Sequence, residues 1–586
     1  MTSDLLDWTP QGHPRSKLYG DVYFSAQDGL AESRAVFLEG CGLPLAWQGR
    51  RSFTVGELGF GTGLNILALL DLWRRTSDPE ARLQIFSVEA HLFTPDEADR
   101  ALALWPELAD LTANLLSRWP AKARGFHRVD FPEYRATLDI ALMPADQALA
   151  TWSGAADAWF LDGFSPALNP EMWSPGLMAL VAARSTPGAR VATFTVAGDV
   201  RRGLQAAGFT VTKQPGFGQK RERLEARLAG AAPNPAPAPR IAVVGAGIAG
   251  ASLVRALKAF GVTPLVFEAD EVGAGASGNP CALVMPRLDA GLAEPAALAA
   301  QAFARATALY ERLPDAVIAR GVLQTATEPD DPRRFAKIAA SDLFEPGALV
   351  HDDTGLTLTT ALVIEPQIVL QSWLGVTRRA KVESLRLAQN GWNLMGPSGE
   401  VLAVVDQVVL ANGVHVTRLA PDAVVSPVRG QVSWTATSDC PSPVSGGGYA
   451  IPTRDGFLFG ATHDRDEIGT ELRIPDHARN LQALAALRPD LAAPLTPDAL
   501  SGRAAIRATT KDYLPLAGAT QQPGLLVLSG LGSRGFCWAP LLAEHVVALA
   551  LGTASPLPTT LSDLVDPARF ARRAARKGRN FVAEPD

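Results

Sequence analysis

The residue that most directly suggests chemistry in this chain is Asp162. It follows an apolar run at residues 158–161, which predicts a buried strand, and it opens a loop rich in glycine and proline. Because the carboxyl ends of parallel strands face the ligand crevice, we expect this carboxylate at a binding site. There it could accept the proton that an amine must lose before it attacks. We also predict that Phe164 and Trp173 sandwich a planar group. The alternative is that Asp162 caps a loop and that both rings belong to the core.

A glycine-rich turn earlier in the chain predicts a nucleotide-type site. Residues 53–58 predict a strand, residues 64–73 have helical spacing, and Gly59, Gly61 and Gly63 lie between them. Glycines let the backbone turn tightly and let a ligand approach without a Cβ clash. Strand, glycine turn and helix together indicate a Rossmann-like unit.

Two acids indicate which nucleotide this unit would hold. Glu57 lies two residues before the first glycine, where it would repel a pyrophosphate and attract the ammonium group of a methionine moiety. Glu89 ends a second apolar strand at residues 83–88, where a carboxylate can accept hydrogen bonds from both ribose hydroxyls. The arrangement resembles a Rossmann-like S-adenosylmethionine methyltransferase, in which Asp162 would orient an amine toward the sulfonium methyl group.

Two further features of this half have two interpretations each. Asp146 follows a predicted strand at residues 137–142 and either contacts the adenine amino group or is a loop or helix-cap acid. The basic residues Lys220, Arg221 and Arg223 lie in a predicted turn or hairpin. They either contact phosphates or form a solvated face.

The second half opens with the pattern of a dinucleotide-binding fold. A predicted strand leads directly into Gly245, Gly247 and Gly250, spaced as GxGxxG, and a predicted helix follows. Glu268 ends the next apolar strand. The first amides of such a helix bind a pyrophosphate, and the acid accepts hydrogen bonds from ribose hydroxyls.

Later features favour FAD over NAD as the dinucleotide. Residues 273–279, which include Ser277, form a loop of small residues that would let a flavin ring approach. A predicted strand and helix near the carboxyl end are joined by a second glycine-rich turn, whose candidate cofactor-binding residues are Gly530, Gly532 and Ser533. The helix N-terminus there would present amides to the electron-rich edge of a reduced flavin.

Arg507 is the candidate catalytic residue of the second half. It lies in residues 503–515, which resemble the Arg…Asp…Pro stretch of amino-acid-oxidase-like flavoproteins. Its guanidinium could hold a substrate carboxylate as a fork. A structural ion pair is the alternative.

The chain has 586 residues, which is too long for one domain of about 100–200 residues. We therefore expect the two predicted sites to lie in separate domains. Residues 229–239 are rich in proline and alanine and predict a stiff, extended linker. We predict an α/β fold class with a Rossmann-like methyltransferase at 1–228 and an FAD-binding Rossmann domain at 240–586. An α+β substrate domain would cover roughly 290–400 and 425–500.

Composition excludes several classes of protein. The 54 Lys and Arg against 60 Asp and Glu give a net charge of −6, which excludes a polybasic nucleic-acid coat but not a local basic patch. Four cysteines without a CxxC pair indicate neither a zinc ribbon nor a disulfide framework, so we expect no metal. Without a recognisable signal peptide or an apolar stretch of about 20 residues, we expect a soluble, cytoplasmic monomer away from membranes.

The two halves together resemble the bifunctional tRNA 5-methylaminomethyl-2-thiouridine biosynthesis proteins over nearly the whole chain. The motifs that carry this resemblance lie at residues 56–65, 162–166, 216–221, 275–279, 429–431 and 532–535. One departure follows Asn279, where a glycine is expected within a few residues and Pro280-Cys-Ala-Leu stands instead. Packing against the flavin can therefore differ.

The resemblance implies two steps on the wobble uridine in the tRNA anticodon. The FAD-dependent half would remove the carboxymethyl group from 5-carboxymethylaminomethyl-(2-thio)uridine, through an imine that hydrolyses to the aminomethyl form and glyoxylate. The other half would use S-adenosylmethionine to methylate the free amine, giving 5-methylaminomethyl-(2-thio)uridine. The basic run at 570–579 would contact RNA phosphates or be a solvated helix. The alternative function is a fused oxidase and methyltransferase that acts on a small free amino acid or amine.

Overall fold

The structure is a computed structural model that describes residues 5–25, 27–218, 220–231, 237–438 and 440–576. The chain divides into two compact units, residues 1–237 and 238–586. Residues 232–236 of the predicted linker and residues 577–579 of the predicted basic run lie outside the described residues.

The N-terminal unit is built on an eight-stranded sheet. Its strand order is β5-β6-β4-β3-β7-β8-β10-β9, in which β6, β4, β3, β7 and β8 run parallel and the remaining strands are antiparallel to their neighbours. Its central strands are buried along most of their length, and β7 is buried at every position, because both faces of the sheet are covered. The strands of this unit are β1 Leu6–Trp8, β2 Pro14–Ser16, β3 Ser52–Leu58, β4 Arg82–Glu89, β5 Gly125–Phe131, β6 Ala136–Leu142, β7 Ala156–Leu161, β8 Ser185–Thr193, β9 Phe209–Pro215 and β10 Glu222–Leu228.

Helices cover both faces of a sheet of this kind. Helix α2 packs there because most of its side chains are apolar and become buried. Nine of its thirteen residues are buried, and Trp73 meets Trp47 edge to face at 5.0 Å between ring centroids. The helices of this unit are α1 Gly29–Ser33, α2 Leu64–Thr76, α3 Pro95–Leu102, α4 Ala109–Leu116, α5 Ala145–Thr151, α6 Pro175–Ala183 and α7 Gly198–Ala206.

The C-terminal unit contains two large sheets and a small meander. Its strands are β11 Ile241–Val244, β12 Leu265–Glu268, β13 Ala282–Val284, β14 Val317–Gln324, β15 Leu349–Asp352, β16 Gly355–Ile364, β17 Thr377–Arg379, β18 Ser384–Ala388, β19 Gly391–Met395, β20 Val401–Val405, β21 Gln407–Leu410, β22 Ser426–Ala436, β23 Val444–Ser445, β24 Tyr449–Pro452, β25 Gly456–Gly460, β26 Asp464–Arg465, β27 Ser501–Thr509, β28 Leu516–Ala519 and β29 Leu525–Ser529. Its helices are α8 Ile248–Ala259, α9 Glu294–Tyr310, α10 Asp331–Ala339, α11 Pro366–Trp373, α12 Val416–Leu419, α13 Ile474–Leu487, α14 Pro489–Ala492, α15 Gly535–Leu551, α16 Thr559–Val565 and α17 Arg569–Arg576.

The first sheet has the order β17-β12-β11-β21-β29-β28 and is parallel except for β28. The second follows the order β13-β16-β14-β23-β24-β25-β22-β26, with β15 on β16 and β27 on β22, and is mostly antiparallel. A nucleotide-binding sheet and a separate substrate sheet are therefore both present.

One boundary of the predicted substrate domain needs correction. Residues 377–405 fall largely within the predicted span of 290–400, but β17 pairs with β12 at the edge of the nucleotide-binding sheet. The meander β18–β20 contributes Trp392 and Leu394 to the same core as Phe267. Local sequence pattern does not reveal this because strand pairing is set by tertiary contacts.

Helix α15 is a core element of this unit. In the described part of the chain, one helical segment, Gly532–Leu551, is long and apolar enough to cross a membrane by length and composition. This corrects the expectation that no apolar stretch reaches that length. The structure buries 78% of its apolar window and packs α15 against α8 and α9, as expected of a core helix.

A buried carboxylate joins these three helices. Glu544 of α15 accepts hydrogen bonds from Arg305 of α9, with 2.6 Å between Nη2 and Oε1, and also from Arg255 of α8. The Glu544 side chain is 3% exposed and that of Arg305 is 4% exposed. Water therefore contributes little to solvating either charge, and each depends on the other.

Glu544→Gln should destabilise the C-terminal unit by about 3–5 kcal/mol, because two buried guanidiniums would then face a neutral amide. Differential scanning calorimetry of the full chain measures this as a lower unfolding temperature for one transition. Glu311→Gln breaks an exposed pair with Arg320 and serves as the control, with an expected effect within about 1 kcal/mol. Equal effects of the two changes would contradict the role of Glu544.

Candidate active sites

The glycine turn of the N-terminal unit brings two loops into close contact. Gly59, Gly61 and Gly63 have φ angles of 90°, 55° and 85°, which residues with a side chain rarely adopt. A Cβ on Gly59 would lie 3.2 Å from the backbone nitrogen of Gly163. The turn after β3 therefore runs directly beside the loop that carries Asp162.

Glu89, at the end of β4, fixes this glycine turn. Its Oε2 accepts a hydrogen bond from the backbone N–H of Gly61 at 2.8 Å, and its Oε1 accepts one from His91 at 2.8 Å. A carboxylate offers about four acceptor positions, so two remain for other donors. The geometry is compatible with the predicted contact to ribose hydroxyls.

Glu57 is a buried acid with one unsatisfied oxygen. It is 0% exposed, and its Oε2 accepts a hydrogen bond from Ser87 Oγ at 2.5 Å. Within the described residues, Oε1 has no hydrogen-bond partner. Burial raises the pKa of Glu57 to about 8, and the nearby charge of Asp162 adds to this. Because an orphaned buried oxygen is unfavourable unless a ligand supplies a donor, the site fits the ammonium group of a methionine moiety.

Asp162 lies at the end of β7 and is held from two sides. Gly163 N–H donates to Oδ1 at 2.8 Å, and Asn65 Nδ2 donates to Oδ2 at 2.9 Å. Burial raises the pKa of Asp162 to about 6, while Lys220 nearby lowers it. The carboxylate is therefore mostly ionised at neutral pH and is a better proton acceptor than an ordinary aspartate.

The aromatic pair predicted beside Asp162 is wrong in one partner. Trp173 is 4% exposed, packs edge to face against Phe194 and donates from Nε1 to the carbonyl of Phe164. Phe164 instead stacks on Tyr19 at 4.7 Å between ring centroids. Tyr19 comes from the distant amino-terminal segment, and no local motif marks it.

The structure gives the surroundings of Asp146, Lys220 and Arg223, which each had two interpretations from sequence. Asp146 is exposed in the first turn of α5 and stays a predicted adenine contact. Lys220 pairs with Glu32 at 2.8 Å and lies over the ring of Phe194, which places it near Asp162. Arg223 pairs with Glu225 on the same strand.

In the C-terminal unit, the GxGxxG turn packs tightly between β11 and α8. A Cβ on Gly245 would lie 2.5 Å from the carbonyl oxygen of Ala411, and one on Gly250 would lie 1.9 Å from that of Gly245. These two glycines are needed for backbone packing. Gly247 precedes the helix and lines a large cavity.

Glu268 and Ser277 hold the two ends of this turn. Glu268 Oε2 accepts from the backbone N–H of Ala246 at 2.7 Å. Ser277 Oγ accepts from the backbone N–H of Ile248 at 3.0 Å, which ties the small-residue loop to the N-terminus of α8. Both side chains also line the cavity.

The cavity has a volume of about 1090 Å³ and runs along the carboxyl ends of the parallel strands. Its lining includes the predicted cofactor-binding residues Gly245, Gly247, Glu268, Ser277, Gly530, Gly532 and Ser533. Asn412 also lines it, and its buried Oδ1 has no hydrogen-bond partner in the described residues. Size, helix N-termini and an orphaned acceptor all fit FAD.

Arg507, on β27, reaches the same cavity. Its Nη1 donates to the carbonyl oxygen of Thr462 at 3.2 Å, and no carboxylate of the described residues lies within ion-pair distance. The alternative, a structural ion pair of Arg507, has no counterpart among the described residues. Asp512, in the same stretch, instead binds Arg569 of α17. Arg503 donates to the carbonyl oxygen of Gly275 at 2.6 Å and so supports the small-residue loop.

Among the cavity residues that were not assigned from the sequence, three bear on chemistry. Arg534, within the motif at 532–535, adds a further guanidinium to the lining, and Tyr449 adds a phenol whose pKa burial raises to about 12. Cys281, at the departure from the expected glycine, also lines the cavity. The motif at 532–535 could have indicated Arg534 as a site residue, whereas no local sequence pattern indicates Tyr449.

Comparisons with known proteins agree with this division. The family described as S-adenosyl-L-methionine-dependent methyltransferase matches residues 106–229, and FAD dependent oxidoreductase matches residues 240–549. Among curated proteins, the tRNA 5-methylaminomethyl-2-thiouridine biosynthesis bifunctional protein MnmC of Caulobacter sp. (strain K31) is 57% identical and covers 98% of this chain and 99% of its own length. The proteins of that name from Caulobacter vibrioides and Maricaulis maris are 55% and 42% identical, over 96% and 98% of this chain and 97% of each relative.

The chain is thus a bifunctional enzyme that joins an S-adenosylmethionine-dependent methyltransferase to an FAD-dependent oxidoreductase, and the predicted fold class and cofactors are confirmed. It belongs to the family of tRNA 5-methylaminomethyl-2-thiouridine biosynthesis bifunctional proteins. No three His, Cys, Asp or Glu side chains of the described ranges group as a metal site.

Glu57→Gln should weaken S-adenosylmethionine binding about ten-fold or more, because the ammonium loses a charged acceptor. Isothermal titration calorimetry measures this. Between pH 4.5 and 8, the contribution of Glu57 to stability should fall as pH rises, because the unfolded chain releases this proton first. The difference in unfolding temperature between wild type and variant should therefore depend on pH in calorimetric scans. Glu39→Gln, at an exposed acid, is the control. Unchanged affinity would contradict the assignment.

Glu268→Ala should raise the dissociation constant for FAD by roughly 10–100-fold, because a charge-assisted acceptor is lost and the turn at Ala246 is released. Flavin absorbance per polypeptide after dialysis, followed by titration with FAD, measures this. Glu271→Gln changes a neighbouring exposed acid and should retain full flavin. Full flavin retention by Glu268→Ala would overturn the role of this carboxylate.

Proposed function

We propose that this enzyme modifies the wobble uridine of tRNA in two consecutive steps. The C-terminal unit removes the carboxymethyl group from 5-carboxymethylaminomethyl-(2-thio)uridine, and the N-terminal unit methylates the resulting 5-aminomethyl group to 5-methylaminomethyl-(2-thio)uridine. Support comes from relatives that carry this activity in their name and that match almost the whole chain.

The observation that carries the proposal is the guanidinium of Arg507. It lies in the FAD-sized cavity with a carbonyl oxygen as its one hydrogen-bond partner among the described residues. A half-buried arginine in this state favours an incoming carboxylate, which it can hold with two parallel hydrogen bonds. The carboxymethylamino group of the proposed substrate provides that carboxylate. Arg507 would then orient the adjacent C–H and C–N bonds toward the cofactor.

In the second step, the chain must prepare an amine for attack. A primary amine is protonated at neutral pH, and Asp162 is placed and charged to accept that proton. The hydrogen bonds from Gly163 and Asn65 fix the orientation of the Asp162 carboxylate. An amine that gives its proton to this carboxylate would therefore hold its lone pair in a defined direction. When bound, the flavin accepts two electrons and S-adenosylmethionine supplies the methyl group.

We also propose that the enzyme acts in the cytoplasm, as a monomer and without a metal ion. The described cysteines are all free thiols, which supports a reducing compartment.

Incubating the enzyme with undermodified tRNA and analysing nucleosides by mass spectrometry tests the proposal. We expect aminomethyl-uridine without S-adenosylmethionine and methylaminomethyl-uridine with it. Asp162→Asn should stall at the aminomethyl form, with methylation slowed about 100-fold or more. Arg507→Gln should raise KM in the first step roughly 10–100-fold, because a charged hydrogen-bond donor is lost.

Two exposed substitutions, Asp199→Asn and Arg320→Gln, provide matched controls that should behave as the wild type. Turnover of free N-alkylated amino acids in preference to tRNA would favour the alternative, an enzyme of small amines. Normal methylation by Asp162→Asn would refute the role of that carboxylate.

A further inference from the structure

An exposed tyrosine lies in an unusual backbone conformation between β27 and β28. Tyr513 has a φ of 59°, in the left-handed region that bulky residues rarely adopt. It is 52% exposed, so burial of the ring does not offset this strain. A residue held in such a conformation without a packing benefit points to a functional constraint on where its ring lies.

Two arginines flank this ring. The guanidinium carbons of Arg287 and Arg465 lie 6.0 and 5.9 Å from the ring centroid, and Arg465 Nη2 donates to the phenol oxygen at 2.5 Å. These centroid distances are at the outer limit of cation–π contact, so neither group covers the ring. Both arginines are exposed, and neither has a carboxylate partner among the described residues. We call Arg287, Tyr513 and Arg465 the aromatic platform.

The platform lies close to the flavin cavity. Arg287 follows Met285, which lines the cavity, and its charge acts on Arg534, another lining residue. Arg465 acts in the same way on His463, which adjoins the carbonyl group that Arg507 contacts. The three side chains therefore lie near the end of the cavity where the substrate carboxylate is proposed to bind.

We propose that the aromatic platform binds a single-stranded RNA nucleotide that neighbours the modified uridine. Its base stacks on Tyr513, and its flanking phosphates pair with Arg287 and Arg465. This combination of an exposed ring and unpaired guanidiniums suits single-stranded nucleic acid, because every base offers a flat face and every linkage a negative charge. The inference rests on the proposed function, since it concerns how the same tRNA is held.

Three variants separate stacking, charge and backbone strain. Tyr513→Gly removes the ring and also relieves the backbone, so the protein should keep its unfolding temperature and flavin content while KM for undermodified tRNA rises about ten-fold or more. Tyr513→Phe keeps the ring and should stay within about two-fold of the wild type. The double variant Arg287→Ala/Arg465→Ala should weaken binding and reduce the slope of log affinity against log salt by about 1.4, the value for two phosphate contacts on a single strand.

Arg320→Ala removes an exposed, carboxylate-paired charge elsewhere in the same unit and is the control, with unchanged KM and salt slope. If the wild type modifies tRNA and Tyr513→Gly has the same KM, the platform does not bind RNA, and a protein partner would be its remaining use. If Tyr513→Phe falls as far as Tyr513→Gly, stacking is refuted in favour of the hydroxyl contact. If the wild type does not modify tRNA at all, the proposed function itself has failed.

Discussion

Both active sites depend on one interaction, a carboxylate that holds a glycine turn from the neighbouring strand. Glu89 accepts from the backbone of Gly61 in the N-terminal unit, and Glu268 accepts from Ala246 in the C-terminal unit. Each carboxylate ends the second strand of its parallel sheet, next to the turn after the first strand. A turn built from glycine is otherwise free to take many conformations, so these hydrogen bonds hold each turn in one conformation at its predicted cofactor site.

Several polar groups of the described residues lack a donor or a counter-charge that a ligand could supply. Glu57 and Asn412 each have a buried oxygen that lacks a donor among the described residues, and Arg507 lacks a carboxylate. Each of these groups lowers the stability of the protein without its ligand. A ligand that supplies the missing hydrogen bond or ion pair therefore gains binding free energy at that group. Cofactor binding and stability are therefore coupled in both units.

Local sequence was sufficient for the glycine turns, their acids and the strand that ends at Asp162. In each case a strand, a turn and a charged residue lie within a short segment, so spacing alone indicates the geometry. It was insufficient for Tyr19 and Tyr449, which reach their sites from distant segments. Trp173 was misassigned because an aromatic residue in a loop has the same pattern whether it faces a ligand or the core.

Most of residues 377–405 were assigned to the wrong domain because contacts distant in sequence decide where they lie. The pattern of short strands there fits either sheet, and only the pairing of β17 with β12 decides between them. Asp512 lies in the same stretch as Arg507, but its partner is Arg569 of the carboxyl-terminal helix. Pairing and packing partners that are far apart in sequence thus account for these differences.

Strand β27 carries Arg503 and Arg507 four residues apart, and side chains at that interval emerge from the same face. One arginine supports the loop beside the predicted flavin ring, and the other faces the predicted substrate carboxylate. A span of about 13 Å of extended backbone therefore separates the two anchors. The distance between the two arginines is fixed, because β27 is one continuous strand that pairs with β22 along its length. If Arg507 holds the substrate carboxylate as proposed, this constant distance sets which atom of the substrate side chain reaches the oxidising centre.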